Sequence, residues 1–454
     1  MEMILLSTGL AILASIIYTI IGLIPGTDET ASLAPLTMVL VLLGVPAPAL
    51  LAWFMAAITA METTNTVPAA IAAIPGSTMA VPFVPYCTSL RKLGLPHLAM
   101  RKLIAGSLIG TLVAIPIAIF VGKVLVPFGD IAREWAPLLF TIGAVIIAGL
   151  SKARWASLFS LIPLAFLIQG LLGIGKQVSG KPIFICIFMG ITIGPMIADQ
   201  LMLLSPVYRD RLARSGPAKI ALAPDTKFGR SFFPNPFKIL SPKQSLLVIG
   251  LCIIASLTFT FSPVGVTVLL GGLVAMGIKE LYYKQTTALS VMDGITNATY
   301  IAETLIPLIA FGLPLSPMAL GPASPLFNAP PRFTVEPVNN LHNLLSTSQF
   351  LVYSILGAVI ALLVCYPFCM KYAHKACRFV FQKVSHEALI GCFMGLVIVL
   401  AFYEAGFIGI AIALTIGTLG GVLNNIFGVH IGVQFMAFYA SGWIVPTLLK
   451  ISIS

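Results

Sequence analysis

Charge is what this sequence has least of. Only 9% of its 454 residues are Asp, Glu, Lys or Arg, and only 15 of those are acidic. Soluble domains carry about 25% charged residues. That shortage, with 58% hydrophobic residues and a mean hydropathy of +1.03, leaves no room for a soluble domain of useful size. Catalytic signatures are missing too. No HExxH, no Gly-rich phosphate loop and no Ser/His/Asp order is present, and no nucleotide-binding segment suggests an ATP-driven pump. Met1-Glu2-Met3 lacks a basic n-region, so no signal peptide is expected.

Long apolar runs fill the rest. Stretches of about 18 or more recur at 3–24, 100–122, 136–150 with its flanks, 182–204, 244–261, 347–370, 388–403 and 430–449. They read as one polytopic, all-α membrane protein. Seven cysteines fall mostly inside these runs, and Cys365, Cys369, His374 and Cys377 lack the paired spacing of a zinc site. No cofactor and no bound metal is expected.

The net charge of +11 sits in loops, which points to topology and anionic lipid headgroups rather than nucleic acid. The longest polar stretch, 207–243, carries eight basic residues from Arg209 to Lys243 against Asp210 and Asp225. It is expected to be cytoplasmic and to divide the chain into a first repeat (1–206), a basic linker (207–243) and a second repeat (244–454). The loops 123–134 and 328–343 are nearly balanced in charge and fit the outside.

Both halves break an apolar run with the same pattern, P-x6-P-x-S-x-M-A. Pro68 and Pro307, like Pro75 and Pro314, stand 239 positions apart. Glu62-Thr63 precedes one break and Glu303-Thr304 the other. Four further spans follow each motif. The basic loop after the first break and the poor loop after the second place the two motifs on opposite sides. The expected architecture is therefore two inverted-topology repeats with Pro/Gly-broken or re-entrant helices at the membrane midplane, the arrangement that marks a transporter's site. Gly22–Ala31 is a third break, read as a re-entrant tip.

Proline removes a helical hydrogen bond and frees a carbonyl, which in lipid must find another partner. Freed helix ends attract anions at N-termini and cations at C-termini. The substrate-binding candidates are Thr63, Thr64, Asn65, Thr66, Pro75, Gly76, Ser77, Thr78, Thr304, Pro314 and Ser316. Asn297 and the acids Asp28, Glu29, Glu62 and Glu303 are candidates for the coupling ion, since intramembrane acids usually mark ion or proton pathways. Asp199, Asp293 and Glu404 stand behind them, Asp199 and Glu404 as residues of span ends. For any single hydroxyl, helix packing is an equal reading.

Gly22-Leu-Ile-Pro25-Gly26, Leu33-Ala-Pro-Leu-Thr37, Ala72-Ala-Ile-Pro75-Gly76-Ser77 and Thr304 to Pro317 in this order resemble the large membrane subunit of the tripartite tricarboxylate transporter family. The resemblance implies a secondary carboxylate transporter driven by an ion gradient, Na⁺ or H⁺, in the inner membrane of a prokaryote. It also implies a small membrane subunit and a periplasmic substrate-binding protein as partners. Thr27, Asp28, Glu29 and Thr30 stand where the family tends to continue with Gly and Pro. No Lys or Arg lies in either break, so the substrate stays open between a small mono- or dicarboxylate and a zwitterion or cation. The oligomeric state is open as well. The alternatives are a membrane enzyme using Asp28-Glu29 on a lipid-linked substrate, or a channel; inverted halves around a central break favour the transporter.

Overall fold

Runs this apolar can bury their backbone polar groups only as helices, and the computed structural model is helical throughout the residues it describes, with no strand among them. Described are residues 1–25, 27, 29–151, 153–180, 183–202, 204–211, 222, 233–327, 340–383 and 386–453. Most of the basic linker, Asp28 and the loop 328–339 lie outside them. Seven helices among the described residues are long and apolar enough to cross a membrane.

The first half runs α1 (Glu2–Gly22), α2 (Glu29–Leu42), α3 (Ala47–Thr64), α4 (Val67–Ala72), α5 (Val84–Lys92), α6 (Pro96–Leu125), α7 (Ala136–Leu150), α8 (Arg154–Ser179) and α9 (Ile185–Met202). The second runs α10 (Pro242–Leu257), α11 (Pro263–Met276), α12 (Leu281–Ala310), α13 (Pro317–Leu320), α14 (Thr347–Lys383), α15 (His386–Asn425) and α16 (Ile431–Ile453). α15 is two helices joined across a kink, where Ala405 and Gly406 leave helical geometry. Each half thus offers two helices and a broken helix; α5 to α9 follow in the first half, and α14, the two helices of α15 and α16 in the second.

The stretch after Gly22 is a turn followed by the 14-residue helix α2. At 1.5 Å per residue it is about 21 Å long, short of a bilayer core of about 30 Å.

Packing does not follow the halves. α3 lies against α14, and α12 against α6; α1 lies against α14, and α10 against α6. Small residues permit this approach, as in membrane helix pairs generally. A Cβ on Gly106 or Gly110 of α6 would stand 2.0 Å from Ser290 O or 2.3 Å from Gly294 O of α12. A Cβ on Gly357 of α14 would stand 2.3 Å from Ala52 O of α3.

Two apolar cores result. The larger is built mainly from α1, α3 to α6, α10 to α12 and α14. The second joins α7, α8, α9, α15 and α16. α2 lies between them, with Leu33 and Val41 in the first core and Ala34 and Met38 in the second.

Lys102 of α6 is buried where the halves meet. Its Nζ donates to Ile239 O at 2.7 Å and to Gln244 Oε1 at 2.6 Å, while Gln244 Nε2 donates to Thr286 and Thr287 of α12.

Candidate functional site

The first break lies between α3 and α5. α3 ends at Thr64 and α4 begins at Val67, with Pro68 among its first residues, where the missing N–H costs nothing. α4 closes at Ala73, the one non-glycine residue with positive φ (+57°) among the described residues. The chain then doubles back. Gly76 N donates to Asn65 O at 3.1 Å, and only glycine fits, since a Cβ there would stand 2.2 Å from that oxygen. Ser77 caps the 3-10 turn Thr78–Phe83, its Oγ accepting from Met79 N.

Asn65 fastens this loop to the acid. Its Nδ2 donates to Glu62 Oε2 at 3.1 Å and to Ser77 Oγ at 3.0 Å. Glu62 is 2% exposed, and its Oε1 has no hydrogen-bond partner; neither has Asn65 Oδ1. Glu29, also buried, accepts from Thr78 Oγ1 at 3.5 Å. Thr27 Oγ1 reaches Gly76 O at 3.5 Å, so the turn after α1 touches the first break.

The second break has the same parts in other hands. α12 runs straight through Pro307 to Ala310. Pro307 has no N–H for the carbonyl of Glu303, four residues earlier. The Ser316 hydroxyl donates to that carbonyl instead. Ser316 Oγ also accepts from Ala319 N and so caps α13. Glu303 is fully buried; its Oε2 accepts from Met318 N at 3.2 Å and its Oε1 has no partner. Gly312 turns the chain with φ +65°, 239 positions after Ala73. Asn340 Nδ2 donates to Gly312 O at 2.8 Å, and His342 Nδ1 lies 3.0 Å from Leu308 O, so the chain beyond the break seats on its open end.

Among the sequence candidates, Glu62, Asn65, Gly76 and Ser77 are brought together in the first break, and Glu29 joins Thr78 beside it. Glu303 and Ser316 meet in the second, where Pro314 is buried. Other polar groups are engaged elsewhere. Thr63 Oγ1 meets Ser107 Oγ of α6 at 2.9 Å, Thr64 and Thr304 bond back to the carbonyls of Ala60 and Tyr300, and Thr66 Oγ1 donates to Thr63 O. Asn297 donates to Asp293 O and accepts from Thr111. Pro75 closes the loop before Gly76 and is half-buried. Asp28 lies outside the described residues.

Glu404 is the last residue of the first helix of α15, directly before the kink, as its reading as a span-end residue expects; there its carboxylate accepts from the backbone N–H of Phe184, Ile185 and Cys186 at 2.7, 2.8 and 2.8 Å. These are donors at the start of α9 that no helical carbonyl serves. Asp199, in the last turns of α9, accepts from Asn425 Nδ2 at 2.7 Å. Asp293, which the sequence placed behind the other acids, is a further buried carboxylate. It is fully buried in α12, and neither carboxylate oxygen has a hydrogen-bond partner. The only signal was an acid amid apolar residues; the repeat offers no acid to pair with it.

Among the described residues no group of three His, Cys, Asp or Glu could hold a metal ion. The breaks offer instead buried carboxylate and amide oxygens next to helix ends, suited to a monovalent cation or a proton.

Residues 9–209 match the model of the Tripartite tricarboxylate transporter TctA family. The match runs from within α1 to the end of α9 and takes in the whole first break, and it agrees with the motif resemblance; the family is one of transporter subunits, not of enzymes. No curated protein and no solved structure matches the chain.

Proposed function

We propose that this TctA-like integral membrane chain, a transporter component and not an enzyme, is the carrier itself: a cation-coupled secondary transporter of small carboxylates or related organic solutes. One observation carries the reading. At each break a buried glutamate ties one oxygen to the loop and leaves the other, Glu62 Oε1 or Glu303 Oε1, without a donor. A buried carboxylate oxygen without a partner is costly, and a coupling ion removes the cost. Asn65 Oδ1 adds a third such oxygen in the first break.

Inverted repeats are supported by three independent facts. The motifs keep a spacing of 239, the left-handed residues Ala73 and Gly312 keep it too, and each half's broken helix packs on the other half's following helix. Alternating access then works through two bodies, the two apolar cores, each containing helices of both repeats. The second break lies at their border: Leu313 and Leu315 pack on the second core while Ala319 belongs to the first. The basic linker faces the cytoplasm of a prokaryotic inner membrane, and a small membrane subunit and a periplasmic binding protein complete the system.

The test is uptake into proteoliposomes of mono-, di- and tricarboxylates and amino acids, with Na⁺ and pH gradients imposed separately, with and without the binding protein. Uptake that follows one gradient establishes the carrier. Transport that ignores both gradients, and flows down the solute gradient alone, defeats the coupling.

A further inference from the structure

We propose that Asp293 is a proton-binding site of this protein, separate from the two breaks. The proposal rests on the carrier reading for its use but not for its existence. Asp293 lies midway along α12, inside the larger core, with none of its surface exposed. Its two oxygens have no donor. The amide one turn on is spent: Asn297 Nδ2 donates to the backbone carbonyl of Asp293. An ionised carboxylate in that position would stand bare in a low-dielectric interior.

Two ligands could relieve it, and the surroundings choose between them. A metal cation needs several oxygen ligands at once. Beside Asp293, a Cβ on Gly294 would meet Val248, the Cys252 sulfur and Gly106 O. An apolar side chain and a thiol form a poor cation cage. A proton needs no cage. It binds one carboxylate oxygen, cancels the charge, and leaves by the same O–H bond breaking when water or another base reaches the site.

Nothing in the repeat pattern supplies this acid, since the first half has Phe54 239 positions before it. The site is thus built into one half only.

The experiment is infrared spectroscopy of the full chain in lipid nanodiscs, in H₂O and D₂O, for wild type, Asp293→Asn, Glu62→Gln and Glu303→Gln. The expected result is a carboxylic-acid C=O band that shifts in D₂O, is absent in D293N, and survives in the other two variants. A wild type without a band assigned by D293N overturns the site, as does a band abolished by Na⁺ at constant pH. Should D293N fail to fold, labelling of wild type with a hydrophobic carbodiimide, which attacks protonated carboxyls, replaces it: an adduct on the peptide containing Asp293 supports the proposal, and an unlabelled peptide overturns it. A band in protein that shows no gradient-driven uptake defeats the carrier reading alone; coupled uptake without the band defeats this proposal alone.

Discussion

The hydroxyl of Ser316 donates to the main-chain carbonyl of Glu303, the carbonyl that Pro307 leaves without its helical donor. One side chain thus repairs the backbone, caps the helix that follows, and fixes the residue whose carboxylate faces the break.

Ser316→Ala should uncover that carbonyl. The loss expected is about 1–3 kcal/mol of stability for a buried acceptor without a partner. Uptake should fall with it, and Ser316→Thr should restore both. Thermal unfolding in detergent and uptake by the same preparations test this; a fully active, fully stable S316A would show that the hydroxyl is dispensable.

Ala73 and Gly312 make opposite predictions from the same geometry. A non-glycine residue in the left-handed region costs about 1 kcal/mol. Ala73→Gly should therefore raise stability by about that amount. Gly312→Ala should lower it, and by more, because its Cβ would also stand 3.0 Å from the Cβ and Cγ of His342. Paired melting curves decide it.

Glu62→Gln and Glu303→Gln keep the shape of each carboxyl and remove its charge. Each variant should fold and bind substrate, yet lose the dependence of uptake on the imposed cation gradient, with uptake down about tenfold or more if one ion contact is worth about 1.4 kcal/mol. Measuring uptake with and without the gradient separates coupling from simple loss of protein. Gradient-driven uptake unchanged in both variants would remove these acids from the mechanism.

Glu404 should behave as a structural residue. In Glu404→Gln the amide group can accept at one end only, leaving a donor facing the N–H of Cys186 or of Phe184 and Ile185. Stability should drop by about 1–3 kcal/mol, while uptake per folded molecule stays as in wild type. A variant that melts normally but has lost its transport would reverse that assignment.

What could be read along the chain was what neighbouring residues decide. The prolines at 68 and 307, the serines at 77 and 316 and the acids before each break lie within about fifteen residues of one another, and the break geometry follows from them. Thr63, Thr64 and Thr304 looked equally suited to a ligand. Whether a hydroxyl faces a site, its own helix or another helix depends on the helix's rotation against its neighbours, which no local pattern contains. Glu404 was legible as a helix-end residue but its partners were not, because they are 218 to 220 positions away.

The sequence by itself determined an all-α membrane protein with two similar breaks. Apolar run length, the missing N–H of proline and the shortage of charge are properties of the chain alone. Only the tertiary structure decided that each half's broken helix leans on the other half, that one oxygen of Glu62 and of Glu303 is left open, and that Asp293 is enclosed without a donor. Those outcomes rest on close contacts between helices such as α6 and α12, far apart in the chain, and van der Waals and hydrogen-bond forces act only at the distances that folding brings about.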